Sequence, residues 1–192
     1  METTMDKVAI ITGASRGIGR NTAINLARRN VDVIFTYRAN QAEAESVVHE
    51  IEGLTKKAAA FALDTGDVSS FDRFADEVRK TLRSWGRDGF DYLVNNAGNS
   101  LHASFAETTA AQFDEIVNVH FKGVYFLTQK LLPLINDGGR IVNISSGLAR
   151  FALPGSSAYG AAKGAVEVLT SERARSASHC GQSERTSHPV AT

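Results

Sequence analysis

Short apolar runs recur along the chain, separated by longer stretches in which apolar residues return every three or four positions. "KVAIIT" (7–12), "VDVIFTY" (31–37), "KAAAFAL" (57–63), "FDYLVNN" (90–96) and "GRIVNIS" (139–145) carry few charges and predict strands. Their apolarity is continuous rather than alternating, which suits strands covered on both faces of a parallel sheet. Segments 17–29, 40–53, 68–84 and 109–132 predict helices. In the third of these, Val68, Phe71, Phe74, Ala75, Val78 and Leu82 share one face. A further helical stretch, "YGAAKGAVEVLT", spans 159–170. Strand–helix alternation of this kind predicts an α/β chain with right-handed crossovers and a doubly wound, Rossmann-like parallel sheet.

No internal repeat or linker divides residues 1–170, and 192 residues fit one domain. The pattern then changes. Between Ser171 and Thr192 the only branched aliphatic residue is Val190, beside five serines, two histidines and three arginines. Such a segment buries no face, so 171–192 is expected to be an irregular tail.

Composition narrows the function classes. Lys plus Arg and Asp plus Glu both number 21, so no long-range field favours nucleic acid or an anionic membrane, and neither is expected as a partner. The single cysteine, Cys180, excludes an intrachain disulfide. The first apolar run, Val8 to Ile11, is too short for a signal peptide, and no stretch approaches the roughly 20 apolar residues of a membrane span. A cytoplasmic protein with no metal site is expected.

The chemistry begins in "ITGASRGIGR". Gly13, Gly17 and Gly19 follow the first strand and open a helix, with Ser15, Arg16 and Ile18 between them. Glycines there permit a tight turn and close approach of backbone to a pyrophosphate, whose charge then sits at the helix N-terminus. A plain strand-to-helix loop is the alternative for a lone triplet; its place in the first turn of a strand–helix series favours a dinucleotide.

With "NNAG" at 95–98 and Tyr159 followed four positions later by Lys163, the chain resembles the short-chain dehydrogenase/reductase family over about residues 6–170. The glycine spacing is similar to that of its carbonyl reductases and alcohol dehydrogenases. The resemblance implies that Asn95 and Asn96 brace the sheet, that Ala97 and Gly98 leave room beside the nucleotide's ribose, and that Asp64 stands beside the adenine. For Asp64 a helix cap or turn remains open as the alternative. The resemblance also implies a homo-oligomer packed through the long fourth helix and the Tyr159 helix.

A Rossmann site for NAD usually has an acid at the end of the second strand, whereas an arginine accommodates the 2′-phosphate of NADP. Here the strand ends "FTYRAN", with Tyr37 at the acid's position and Arg38 next to it. Arg16 adds a second guanidinium, and no uncompensated carboxylate is evident. NADP is therefore expected over NAD, with both arginines as solvated surface charges the alternative.

Ser146 closes the fifth strand, and Tyr159 and Lys163 lie one helical turn apart on one face, so all three can converge at the carboxyl ends of the strands. Hydride addition to a carbonyl leaves an alkoxide that needs a proton. A phenol can give one, but its unperturbed pKa is about 10. An ammonium about 4 Å away at an effective dielectric near 20 is worth roughly the 4 kcal/mol that brings it near 7. Tyr159 is thus read as the acid, Lys163 as the group that lowers its pKa and holds the nicotinamide ribose, and Ser146 as the group orienting the substrate oxygen. Ser145 and Ser146 as ordinary strand-end hydroxyls is the competing view.

Many family members carry an asparagine in the long fourth helix that supports a water linked to the lysine. The matching position here is His120, in "VHFKG". Imidazole suits a water too and would titrate near pH 6.5, but a helix-packing histidine is equally open. "GLARFALPGSSA" (147–158) suggests a mostly apolar wall for the substrate. After Leu169 the family's next strand, proline–glycine turn and substrate loop are not readable. The expectation is a truncated family member lacking the last strands, with the fifth strand left as an unpaired edge. The functional expectation is an NADP-dependent oxidoreductase interconverting a small-molecule ketone and a secondary alcohol. The alternative is an impaired chain that only binds nucleotide or folds poorly.

Overall fold

The computed structural model describes residues 6–177 and 183–187. Six parallel strands form one sheet: β1 (Lys7–Ile11), β2 (Val31–Tyr37), β3 (Ala58–Ala62), β4 (Phe90–Asn95), β5 (Ile135–Ile144) and β6 (Ser183–Ser187), in the order β3-β2-β1-β4-β5-β6. The helices are α1 (Gly17–Ala27), α2 (Gln41–Glu52), α3 (Phe71–Ser84), α4 (Ala110–Val117), α5 (Gly123–Leu131) and α6 (Ser157–Ala177). The doubly wound α/β reading of the chain is borne out.

The continuous apolar runs have the cause inferred for them. Along β1, Val8 and Ile10 enter a core with Phe74, Val78 and Leu82 of α3 and Leu127 and Leu131 of α5. Ala9 and Ile11 enter the opposite core with Ala23 and Ala27 of α1 and Val47 and Ile51 of α2. A third cluster, Ile116, Ala158 and Ala162, joins α4 to α6 and includes the Tyr159 ring at its margin.

Three expectations are corrected. The helix expected over 109–132 is interrupted by a π-helical turn at Asn118–Lys122 between α4 and α5. Tertiary packing of Val119 and His120, both buried, accompanies that extra residue in the turn. The helix expected to end at 170 continues through Ala177, because Glu, Arg and Ala sustain helical backbone without an apolar stripe. Finally, β5 is not left as an unpaired edge: Arg140 to Ile144 pair with Ser183 to Ser187. An edge strand needs only backbone pairing, which "SERTS" supplies without an apolar run. The rest of the expected irregular tail, including Cys180, lies outside the described residues.

A buried polar chain ties the middle of this sheet to the helices. Asn95 Nδ2 donates to Thr128 Oγ1 at 3.0 Å and to Asn143 Oδ1 at 2.8 Å, and Asn143 Nδ2 donates to Thr170 Oγ1 at 2.9 Å. Together these bonds connect β4, α5, β5 and α6 at one level.

Candidate active site

The turn between β1 and α1 folds as its glycines require. Gly13 has φ +66°, and a Cβ there would lie 2.9 Å from Ala97 Cα. At Gly19 a Cβ would lie 2.5 Å from both Gly13 O and Asn96 Nδ2, so the third glycine lets the helix seat against the strand turn. Gly17 differs: its φ is +58° and nothing lies within 4 Å of a built Cβ, so its missing side chain leaves an open groove. No side chain caps the N-terminus of α1, which leaves its first N–H groups for a ligand.

Two hydroxyls not singled out from the sequence hold this turn. Thr12 Oγ1 accepts from both Asn96 N and Ala97 N at 2.9 Å, and Thr36 Oγ1 accepts from Gly13 N at 3.1 Å. Asn96 Nδ2 donates to Thr12 O at 2.9 Å and to Gly13 O at 3.0 Å. The signal was present as a buried threonine near the carboxyl end of an otherwise apolar strand.

A cavity of about 690 Å³ opens above these turns, and its lining includes Gly13, Ser15, Arg16, Gly17, Ile18, Arg38, Asp64, Asn96, Ala97 and Gly98. Its size and its glycine-floored, amide-rich walls fit an extended dinucleotide. Arg38 Nε stands 3.3 Å from Asp64 Oδ2, with side chains 64% and 43% exposed. Chain folding thus brings Asp64 to Arg38 from the end of β3, and the carboxylate beside Arg38 is a paired one. An exposed pair of this kind is worth only about 0–1 kcal/mol.

Ser146, Tyr159 and Lys163 do not line this cavity; its Asn99 side is linked to Tyr159 through His120. Strand β5 ends at Ile144, and Ser146 caps the short turn Gly147–Ala149, its Oγ accepting from Leu148 N at 3.2 Å. On α6 the buried Lys163 donates from Nζ to Ile144 O at 2.7 Å and lies 5.7 Å from the Tyr159 ring centroid. Burial brings the Lys163 pKa down to about 8. Burial also raises the Tyr159 phenol above its ordinary value, while a hydrogen bond with Ser146 works in the opposite direction. In the protein alone, desolvation is thus the larger influence on the phenol's acidity and Ser146 the opposing one.

His120 sits between the two halves. Its Nε2 lies 2.8 Å from Asn99 O and 3.2 Å from Asn99 N, and its ring meets Tyr159 edge-on at 4.9 Å between centroids. Burial, and then the Lys163 charge, lower its pKa to about 4, against a backbone hydrogen bond with Asn99 that raises it. The expected titration near 6.5 is corrected accordingly. Ser145 Oγ donates to Glu167 Oε1 at 2.9 Å, and Glu167 also pairs with Arg150 at 3.4 Å, so the strand-end turn is tied to α6.

Among the described residues no helix is long and apolar enough to cross a membrane. The short chain dehydrogenase family model matches residues 7–181. A short-chain dehydrogenase/reductase of Pestalotiopsis microspora is 35% identical over 96% of this chain and 67% of its own length. A hydroxynaphthalene reductase-like protein of Metarhizium brunneum is 33% identical, over 90% of this chain and 63% of its own. Among solved structures, the landomycin C-6 ketoreductase with bound NADP and rabelomycin superposes with a TM-score of 0.90 at 33% identity, covering 94% of this chain and 74% of that one. The chain thus spans about two thirds of the length of these curated relatives. On its fold, its glycine turn and these likenesses together, the chain belongs to the short-chain dehydrogenase family of oxidoreductases.

Proposed function

We propose that the chain is an NADP-dependent oxidoreductase that interconverts a ketone and a secondary alcohol by hydride transfer. The observation that carries this reading is the continuity of the glycine-floored groove with the Gly98–Asn99 turn, against which His120 and then Tyr159 are packed. A reduced nicotinamide bound in the groove supplies the hydride. Tyr159 gives its hydroxyl proton to the developing alkoxide, Ser146 holds the substrate oxygen by a hydrogen bond, and Lys163 fixes the ribose and offsets the phenolate left behind. Gly13, Ser15, Arg16, Gly17, Ile18 and Gly19 take the pyrophosphate, with Asn96, Ala97 and Gly98 beside the ribose and Asp64 near the adenine.

Arg38 favours NADP. A 2′-phosphate offers it a charge-assisted, bidentate partner, and the exposed pair with Asp64 is weak enough to be displaced. The NADP bound by the landomycin ketoreductase supports this preference. For the substrate, Phe151 and Leu153, both exposed, follow the Ser146 turn, and Phe105 is 86% exposed on the loop that bonds Gly155 through Ala103. Those side chains, with the rabelomycin complex and the hydroxynaphthalene reductase likeness, support a largely apolar, aromatic ketone.

Nicotinamide absorbance with a panel of diketones and polycyclic ketones tests the proposal. Turnover with NADPH that is lost in Tyr159→Phe, while NADPH still binds, is the expected result. Equal rates from both proteins would remove Tyr159 from its role, and NADH binding more tightly than NADPH would overturn the assignment of Arg38.

A further inference from the structure

His120 is 2% exposed, yet its Nδ1 has no hydrogen-bond partner among the described residues. Its other atoms are all engaged. With Nε2 protonated, that nitrogen donates to Asn99 O at 2.8 Å, with Asn99 Oδ1 also within 3.0 Å. Cε1 fills the space of a missing side chain, since a Cβ on Gly98 would lie 2.7 Å from it. The ring edge stands on Tyr159 at an interplanar angle of 77°. The π-helical turn carries His120 to this place between the carboxyl end of β4 and α6. Because Asn99 engages Nε2, the water-supporting role that the resemblance gives this position could fall only to Nδ1.

We propose that His120 is a positioning residue: its neutral imidazole is wedged between the Gly98–Asn99 turn and the Tyr159 ring and sets where the phenol stands. The proposal rests on the reading of Tyr159 as the proton donor for its significance, but not for its geometry. Among the described residues, the charged or titratable groups that bear on the ring are Lys163 and Tyr159, both from α6, and the turn after β4 contributes the amide and carbonyls of Asn99. Burial first, and then the Lys163 ammonium, which opposes a second charge beside it, keep the imidazole neutral. Glycine at 98 is then a requirement of the wedge, because any side chain there would push the imidazole toward the phenol.

The test uses the full 192-residue chain and needs no turnover. Nitrogen NMR of the ¹⁵N-histidine-labelled protein should show His120 as the neutral, Nε2-protonated tautomer from pH 5.5 to 9. The Tyr159 ring signals, identified by their loss in Tyr159→Phe, should carry a ring-current displacement. That displacement should collapse in His120→Ala, persist in His120→Phe, and be altered in Gly98→Ala. In Gly98→Ala/His120→Ala the spectrum should match His120→Ala alone, since the clash has lost its partner. If the variants fail to fold, the tautomer in the unsubstituted chain still decides: an Nδ1-protonated ring, or one that titrates near 6.5, overturns the wedge. Unchanged Tyr159 signals in a folded His120→Ala overturn it equally. Failure of hydride transfer with these signals intact would count against the functional reading and leave the wedge standing.

Discussion

Thr170 offers a direct measure of how firmly α6 is anchored to the sheet. Its hydroxyl accepts from Asn143 Nδ2 at 2.9 Å and donates to Val166 O at 2.7 Å, and the residue is 3% exposed. Valine has nearly the same shape, so Thr170→Val opens no cavity but strands one amide N–H of Asn143, itself 2% exposed. Leaving a buried donor unsatisfied costs about 1–3 kcal/mol. For a chain of this size each kcal/mol lowers Tm by roughly 2–4 °C, so a central loss of about 2 kcal/mol corresponds to roughly 4–8 °C. Thr170→Ser keeps the hydroxyl and loses one buried methyl, about 1 kcal/mol, and should fall between the two. Because the bond has two ends, Thr170→Val should cost almost nothing further in an Asn143→Ala background. Thermal melts of the five proteins, the double variant included, at pH 7.5 check this. The reasoning is refuted if Thr170→Val melts with the unsubstituted chain or above Thr170→Ser, or if the two substitutions add.

Gly19→Ala, whose Cβ would meet Gly13 O and Asn96 Nδ2 at 2.5 Å, should lower stability by about 1–3 kcal/mol and abolish NADPH binding by fluorescence titration. Gly17→Ala meets only open space and backbone strain at φ +58°, so it should cost about 1–2 kcal/mol; a larger loss at Gly17 than at Gly19 would contradict the cradle geometry. His120, with its folded pKa near 4 against 6.5 unfolded, makes the unfolded state bind more protons in that window. Stability should therefore fall from pH 6.5 toward 4, and His120→Gln should flatten that part of the denaturant-midpoint profile. Lys163 carries the mirror case: its folded pKa near 8 lies below its unfolded 10.5, so the penalty for burying its charge is full below 8 and vanishes toward 10.5. Lys163→Met should be more stable than the parent at pH 7 by up to about 3 kcal/mol, less about 1 for the lost bond to Ile144 O, and the gap should close by pH 10.5. A gap that does not change with pH would show that burial of the charge is not its source.

The parts of this fold that were legible are those whose signal is local. Both faces of β1 are buried, so Val8 to Ile11 reads as an unbroken apolar run, β2 and β4 read as apolar runs each broken by one buried aspartate, Asp32 and Asp91, and the helical stripe of α3 reads directly from Phe71, Phe74, Val78 and Leu82. The glycine turn and the Tyr159–Lys163 spacing were readable for the same reason, since backbone conformation and helical periodicity act over a few residues. What escaped depends on distant segments. The π-helical turn leaves no mark in an apolar pattern that continues through Val119 and Leu127. Strand β6 carries no apolar residue, so no apolar run in the sequence marks its backbone pairing with β5. The meeting of Arg38 with Asp64 joins the ends of β2 and β3, and no spacing within either segment announces it.

The electrostatics of the site bear on the direction in which it works best. Desolvation alone acts on Tyr159 and Lys163 alike, pushing each toward its uncharged form: the phenol upward, the amine down to about 8. At neutral pH the protein by itself therefore holds Tyr159 as an intact acid beside an amine that is still mostly protonated. That is the state a carbonyl reduction consumes, since the alkoxide must take a proton from the phenol and the ammonium must stabilise the phenolate that results. Alcohol oxidation needs the reverse, a phenolate present before reaction, and burial makes that form costly until something positive is added nearby. A second charge cannot come from His120, which the Lys163 ammonium and its own burial keep neutral. The side chains described here thus equip the proposed site for the reductive direction at neutral pH, and leave oxidation dependent on alkaline conditions or on the charge of an oxidised nicotinamide.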